Sequence, residues 1–231
     1  MKIVRKVIYW LLILCLPVLI ITSNIGWGVT SMWIYDYDLN KYPISQITGI
    51  ESGELRKVYR HLIDFYNLKV DSPQVTVSKG GKDIDIFNER ELVHLEDIKD
   101  LIQLDYTVQR IVLIIVVIGV IVLLFLLKEK WRTLIKGLLW GSIITFGIMI
   151  ALVLWAAFGF EQLFLLFHLV SFSNAFWILD PTKDYLIMLF PGQFFFDAAL
   201  FGFIAVIVQS LLIGIAAFII LRVSRRTVVL P

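Results

Sequence analysis

The sequence predicts a mainly α, polytopic membrane protein. It has four transmembrane helices, a small mixed α/β extracytoplasmic subdomain, and outer-leaflet interfacial or re-entrant helices. Three observations predict this. The chain of 231 residues is 59% hydrophobic with a mean hydropathy of +0.85, whereas a soluble domain is apolar over about one half of its residues. The excess is gathered in four long runs almost free of charge. Basic residues cluster at alternate ends of those runs, the pattern that sets membrane orientation.

The first run, residues 7–29, follows Lys2, Arg5 and Lys6. It is longer than the apolar stretch of a signal peptide, and no A-x-A-like site follows it, so it is expected to stay as an anchor. The second, residues 111–127, contains no charge, the third covers 134–158 with Lys136 at its start, and the fourth covers 199–221. Each is long enough to cross about 30 Å of hydrocarbon as a helix. Cys15, the single cysteine, lies inside the first run, where it packs as an apolar residue and no intramolecular disulfide can form.

Sidedness follows from the cations. Lys2, Arg5 and Lys6 flank the first run, Lys128, Lys130, Arg132 and Lys136 join the second to the third, and Arg222, Arg225 and Arg226 follow the fourth. These belong on the cytoplasmic side, which puts both termini there. Residues 1–30 then form the first transmembrane helix with a cytoplasmic N-terminus, and 31–110 an extracytoplasmic subdomain whose last helix continues into span two. Residues 111–158 form spans two and three with a basic cytoplasmic loop, 159–198 an apolar outer-leaflet segment, and 199–231 the fourth span and a basic cytoplasmic tail. The formal net charge of +2 is too small to suggest nucleic acid.

The segment 31–110 is too long for a plain loop, and it holds fourteen acidic and nine basic side chains before Arg110. Leu55, Val58, Tyr59, Leu62, Phe65 and Tyr66 form a helical apolar stripe. VDSPQVTV and DIDIF are short extended pieces around the turn KGGKD. The stretch NERELVHLEDIKDLIQLDY opens with Asn88 and carries Glu91 three residues later, a capping box with Asn as the N-cap. Nothing breaks the helix before span two, so one helix is expected from residue 89 to 127, near 60 Å at about 1.5 Å per residue. His94 then shares a face with Glu91 and Asp97.

Residues 159–198 are too interrupted for one span and too apolar for water. Short helices in or dipping into the outer leaflet, bounded by Pro181 and Pro191, fit best. His168 lies in the first of them, followed by Ser171, Ser173 and Asn174. His61, His94 and His168 are the only histidines, and all fall in outer segments. His61 has a structural reading. Alone, His94 reads as an exposed helix residue paired with Glu91 or Asp97, and His168 as an interfacial residue with a wet tip. As two imidazoles at one membrane face with carboxylates nearby, they become a candidate site.

Three chemistries compete. A metal site needs three or four ligands, and the best improvised set is His94, Asp97 and His168, without an HExxH or Cys/His cluster. Nucleophilic catalysis has Ser171 available, at i+3 from His168 but outside any G-x-S-x-G context. General acid/base catalysis by histidine needs only what is present, provided the substrate brings its own nucleophile. A non-enzymatic membrane assembly factor or accessory protein is the rival of another class. A transporter is disfavoured because the spans hold almost no polar path.

FNERELVHLEDIKDLI and LFHLVSFSNAFWILDPTKDYLIMLFPGQFFFDA resemble the two signature regions of the Lit family, the lipoprotein intramolecular transacylases of low-GC Gram-positive bacteria. The four-span layout is similar as well. The resemblance implies a membrane acyltransferase of the bacterial cell membrane, active at the extracellular leaflet. It would move the sn-2 acyl chain of a lipoprotein's S-diacylglyceryl-cysteine to that cysteine's own α-amino group, giving the lyso form. The family's catalytic histidines map by motif onto His94 and His168. His94 is expected to take the amine's proton and His168 to protonate the departing alkoxide. Supporting candidates are Glu91 or Asp97 to fix the tautomer of His94, and Arg110, Asn174 or the backbone near Asp180 to stabilise the oxyanion. No cofactor and no metal are expected. The expected partners are the diacylglyceryl-modified lipoprotein and membrane lipids, with the protein itself a monomer.

Overall fold

The computed structural model describes residues 2–226 and the side chains of residues 2–224; residues 227–231 of the expected basic tail, and the side chains of Arg225 and Arg226, lie outside the described part. The elements in order are α1 (Lys2–Thr30), α2 (Met32–Lys41), α3 (Ile44–Thr48), α4 (Ser52–Tyr66), β1 (Thr76–Lys79), β2 (Lys82–Asp85), α5 (Glu89–Ile121) with a π-helical turn (Val122–Leu126), α6 (Trp131–Ser171), α7 (Tyr185–Leu189) and α8 (Gly192–Arg226). Four of these helices are long and apolar enough to cross a membrane. α1 runs through Pro17 without ending, as apolar membrane helices tolerate. α6 is two helices joined at Gly159, whose φ of −165° and ψ of 54° are not helical, and the first of them ends where the third apolar run ends in sequence.

The chain clusters into two units. One comprises residues 1–25, 106–155 and 201–231. Its interior is a thin seam in which Ile20, Met149 and Val206 are buried against Leu16, Ile21, Leu152 and Phe203. Small residues bring its helices close: a Cβ on Gly141 would meet Leu16 side-chain carbons at 2.8 and 2.9 Å, and one on Gly119 would meet Leu12 at 2.8 Å, the small-residue packing usual between membrane helices. Most large apolar side chains of this unit face outward, the inverse of a soluble core.

The other unit comprises residues 26–105 and 156–200 and has a conventional buried core. All six stripe residues of α4, Leu55, Val58, Tyr59, Leu62, Phe65 and Tyr66, are buried, as their spacing requires. β1 and β2 pair as an antiparallel hairpin with Lys79 opposite Lys82. The two loop residues Gly80 and Gly81 have φ of 59° and 77°, the left-handed pair that a tight hairpin turn needs and glycine supplies freely. Val77 closes over the core from β1.

Candidate active site

α5 begins as the capping box predicts. Asn88 Oδ1 accepts from the N–H groups of Arg90 and Glu91 at 3.0 and 3.1 Å, and Glu91 Oε2 accepts from Asn88 N–H at 2.8 Å. Two turns into this anchored helix, His94 is buried, 5% exposed. The second half of α6 carries His168, also buried, three residues before its end. The two imidazoles face each other with centroids 6.3 Å apart and planes at 35°.

The rings sit in an aromatic enclosure. Phe164 lies 4.3 Å from His168 between centroids, Trp177 4.9 Å, Phe167 5.3 Å and Phe172 5.5 Å, and Phe172 also meets His94 edge-on at 5.0 Å. A short loop builds this wall. Phe172 N–H closes α6 on His168 O at 3.0 Å, Asn174 Oδ1 accepts from Phe176 N–H at 3.0 Å, and Trp177 Nε1–H donates to Asn174 O at 2.9 Å, holding the indole against His168.

The two histidines differ in how they are held. His168 Nδ1 lies 2.8 Å from Phe164 O. A carbonyl only accepts, so Nδ1 carries the hydrogen and the lone pair is at Nε2. His94 Nδ1 is buried with no hydrogen-bond partner among the described residues. His94 lies seventeen positions ahead of the apolar run that begins at residue 111. Burial pushes it down to about 4, the neighbouring His168 adds to the shift, and Asp97 opposes it. It is a neutral imidazole with an unsatisfied nitrogen, a costly arrangement that a bound polar group would relieve.

The supporting candidates take other roles than expected. Asp97 Oδ2 accepts from Asn174 Nδ2–H at 2.8 Å, so Asp97 acts on His94 through its charge and not by fixing a tautomer. Asn174 is spent on Asp97 and on its own loop. Glu91, fully buried, turns away from His94. Besides capping α5 it accepts from Leu186 N–H through Oε1 at 2.6 Å, tying the start of α7 to the start of α5. Burial raises its pKa, and the Leu186 and Asn88 N–H groups pull it back. Asp180 is half-exposed and accepts from Thr182 N–H and Oγ1–H at 2.9 and 2.7 Å, while its own N–H is occupied by Asp184 Oδ2 at 2.7 Å. The backbone there is not a free oxyanion donor. Arg110 belongs to the other unit and bonds Tyr106 O and Thr107 Oγ1 one turn back, each at 3.2 Å. Ser171 Oγ bonds neither His168 nor any other described residue. No three His, Cys, Asp or Glu side chains gather as metal ligands among the described residues, so His94, Asp97 and His168 do not form the improvised set. His61 Nε2 lies 2.8 Å from Ser72 O, a structural contact as expected.

Sequence reasoning missed Asp184. It is buried, accepts from Asn88 Nδ2–H at 2.9 Å and from Asp180 N–H, and so fastens the DPTKD turn to the α5 cap. The only signal was the pair of aspartates four apart in that turn. Phe172 and Trp177 were also missed, because aromatic residues in an apolar segment carry no mark of a pocket wall.

The profile of the family described as lipoprotein intramolecular transacylase Lit matches residues 10–195. The chain is similar to solved structures of the membrane integral lipoprotein intramolecular transacylase Lit from Bacillus cereus, at 25% identity in each of three. Their TM-scores are 0.81, 0.77 and 0.77, with 98, 98 and 97% of this chain and 100, 96 and 97% of those chains covered. In two of those structures a histidine is substituted, by arginine in one and by alanine in the other. No curated protein sequence matches. With its four apolar helices and a family match over most of its length, the chain belongs to the lipoprotein intramolecular transacylases, the Lit family of integral membrane enzymes.

Proposed function

We propose that the enzyme moves the sn-2 acyl chain of a lipoprotein's S-diacylglyceryl-cysteine to that cysteine's α-amino group, with His94 and His168 as the acid/base pair. The observation that carries this reading is two buried imidazoles 6.3 Å apart between centroids, one with a fixed lone pair and the other with a nitrogen awaiting a partner.

The α-ammonium must lose a proton before it can attack. His168 Nε2 is the better acceptor: burial lowers the pKa of the ring, but the Nδ1–H bond to Phe164 O opposes that shift and orients the ring, whereas His94 Nδ1 has no such bond among the described residues. This reverses the order of roles expected from the sequence. The neutral amine adds to the sn-2 ester carbonyl, and the tetrahedral oxyanion collapses with cleavage of the bond to the glycerol oxygen. That oxygen takes up a proton and the new amide nitrogen gives one up, and the proton first taken from the ammonium is released to water, which returns the pair to its starting state. His94 Nδ1 faces the polar centre of this intermediate. Ester and amine are tethered in one molecule, so holding them in near-attack geometry supplies much of the rate. No cofactor and no acyl-enzyme are required. An acyl-serine route is disfavoured because Ser171 lacks the histidine hydrogen bond that would activate it. The site works at the extracellular leaflet on a membrane-embedded lipoprotein, and the enzyme acts as a monomer.

The test is mass spectrometry of lipoprotein N-termini from a host lacking lipoprotein N-acylation. Expression of the enzyme is expected to yield N-acyl, S-monoacylglyceryl termini. His94→Ala and His168→Ala, each present in the membrane at the normal level, are expected to leave the diacylglyceryl form. Conversion by both variants would sink the acid/base reading.

A further inference from the structure

Away from the histidines, α2 buries a carboxyl group that the reaction does not use. Asp38 is wholly buried, and its Oδ1 has no hydrogen-bond partner among the described residues. Its Oδ2 meets the Tyr59 hydroxyl of α4, and that hydroxyl also lies 3.0 Å from Leu189 O at the end of α7. Tyr59 and Leu189 are themselves fully buried, and the Tyr35, Tyr59 and Phe190 rings close around them.

The hydrogens decide what this cluster is. A tyrosine hydroxyl donates once. If Asp38 were a carboxylate, that one hydrogen would have to serve Asp38 or Leu189 O, leaving the other without a donor and a buried charge without a cation. Among the described residues no cation pairs with Asp38: Arg56 pairs with Asp36, Lys41 pairs with Asp197, and the Tyr35 hydroxyl donates to Val29 O. If Asp38 is protonated, both contacts of the Tyr59 oxygen are satisfied, and Oδ1 is left as an uncharged carbonyl oxygen. Its O–H donates to the Tyr59 oxygen, and the Tyr59 O–H donates to Leu189 O.

We infer that Asp38 is a neutral carboxylic acid in the working enzyme and heads a donor relay through Tyr59 that pins the end of α7, making it a positioning residue for His94. The link is short. α7 is five residues long, held at its end by Tyr59 and at its start by Glu91, which accepts from Leu186 N–H one turn before His94. Burial agrees with this reading, raising Asp38 to about 7 against the opposing hydrogen bond from Tyr59. Loss of the proton breaks the relay and frees Leu189, so the site loosens as pH rises.

The test uses the full-length enzyme in nanodiscs of phosphatidylglycerol and phosphatidylcholine. At about pH 6 the infrared spectrum of the wild type is expected to contain a protonated-carboxyl band that Asp38→Asn lacks and that fades as pH rises. Asp38→Asn preserves the relay, since its amide N–H donates to Tyr59, and is expected to keep its rate within about threefold of wild type. Tyr59→Phe and Asp38→Ala break the relay and are expected to lose about tenfold or more. The ratio of wild-type to Asp38→Asn rate is expected to fall as pH rises through neutrality. Absence of the band, a ratio flat with pH, or an Asp38→Asn enzyme as impaired or unfolded as Asp38→Ala would overturn the inference, because a neutral isostere must be tolerated where the native group is neutral. The inference rests on His94 being at the site only for its rate consequence. If the histidine variants prove active, the infrared difference still decides the proton on Asp38.

Discussion

His94 and His168 show why a pair of side chains can be recognised before its geometry is known. A lone imidazole in an apolar segment has many structural uses, but two in one compartment with acids nearby have fewer. Both histidines lie in segments that the sequence predicts to be extracytoplasmic. It could not place Phe172 or Trp177 around them, because ring packing depends on how residues 172–177 turn back after α6. Nor could it reveal that Glu91 and Asp97 bond elsewhere, since the competing donors, Leu186 N–H and Asn174 Nδ2–H, are 95 and 77 residues away. Two predictions belong at this scale. Removing either imidazole is expected to slow acyl transfer by about 10²–10⁴-fold, whereas Ser171→Ala is expected to retain the wild-type rate, both measured by conversion of a synthetic diacylglyceryl lipopeptide. The second concerns pH. His94 is held at about 4 in the fold against about 6.5 in an unfolded chain. A base whose folded pKa is depressed binds its proton more tightly when unfolded, so the fold loses stability as pH falls from about 6.5 to about 4 and the loss levels off below that. His94→Gln removes this contribution. Thermal melts of the two proteins across that window are expected to converge on the acid side relative to pH 7, and parallel curves would contradict a buried neutral His94.

Elements that rest on neighbouring residues were legible in the sequence, and those that rest on distant partners were not. The α5 cap needs only Asn88 and Glu91 three positions apart. The α4 stripe needs only the helical period, and all six of its residues are buried as the period demands. The hairpin needs only two glycines between extended pieces. α7 and the DPTKD turn are different: their places are set by Asp184 on Asn88 and by Glu91 on Leu186, contacts 96 and 95 residues apart in sequence. Glu91 thus serves two elements at once, and its removal is expected to exceed a simple cap loss. Glu91→Ala leaves both the Asn88 and Leu186 N–H groups without their acceptor in a buried site. Losing a cap costs about 1 kcal/mol, and an orphaned buried donor about 1–3 kcal/mol. A total loss of about 2–4 kcal/mol is expected in a thermal or denaturant melt, with acyl transfer impaired alongside. Glu91→Gln keeps one accepting oxygen and is expected to lie between the two. Equal melts for Glu91→Ala and wild type would remove the clasp from the account.

At the scale of the whole molecule, the chain's charges and its chemistry make one joint demand. A lipoprotein's modified cysteine sits at headgroup depth with acyl chains below it, so the residues that act on it must lie on the outer side of the membrane. The cations give the same orientation independently. Lys128 and Lys130 lie in the connection between α5 and α6 and Arg132 and Lys136 in the first turns of α6, while Lys183 is the only Lys or Arg in 159–198, and basic loops stay cytoplasmic. On both grounds we propose that the β1–β2 hairpin faces outside and the α5–α6 connection inside. Lys82 and Lys130 are exposed positions on these two segments, which makes them suitable reporters. In a Cys15→Ser background, a membrane-impermeant maleimide is expected to label Lys82→Cys in intact cells. It is expected to reach Lys130→Cys only after the membrane is opened. Labelling of Lys130→Cys in intact cells, with Lys82→Cys protected, would invert the orientation. It would also put His94 and His168 on the face opposite the mature lipoprotein's cysteine, where the proposed reaction has no substrate.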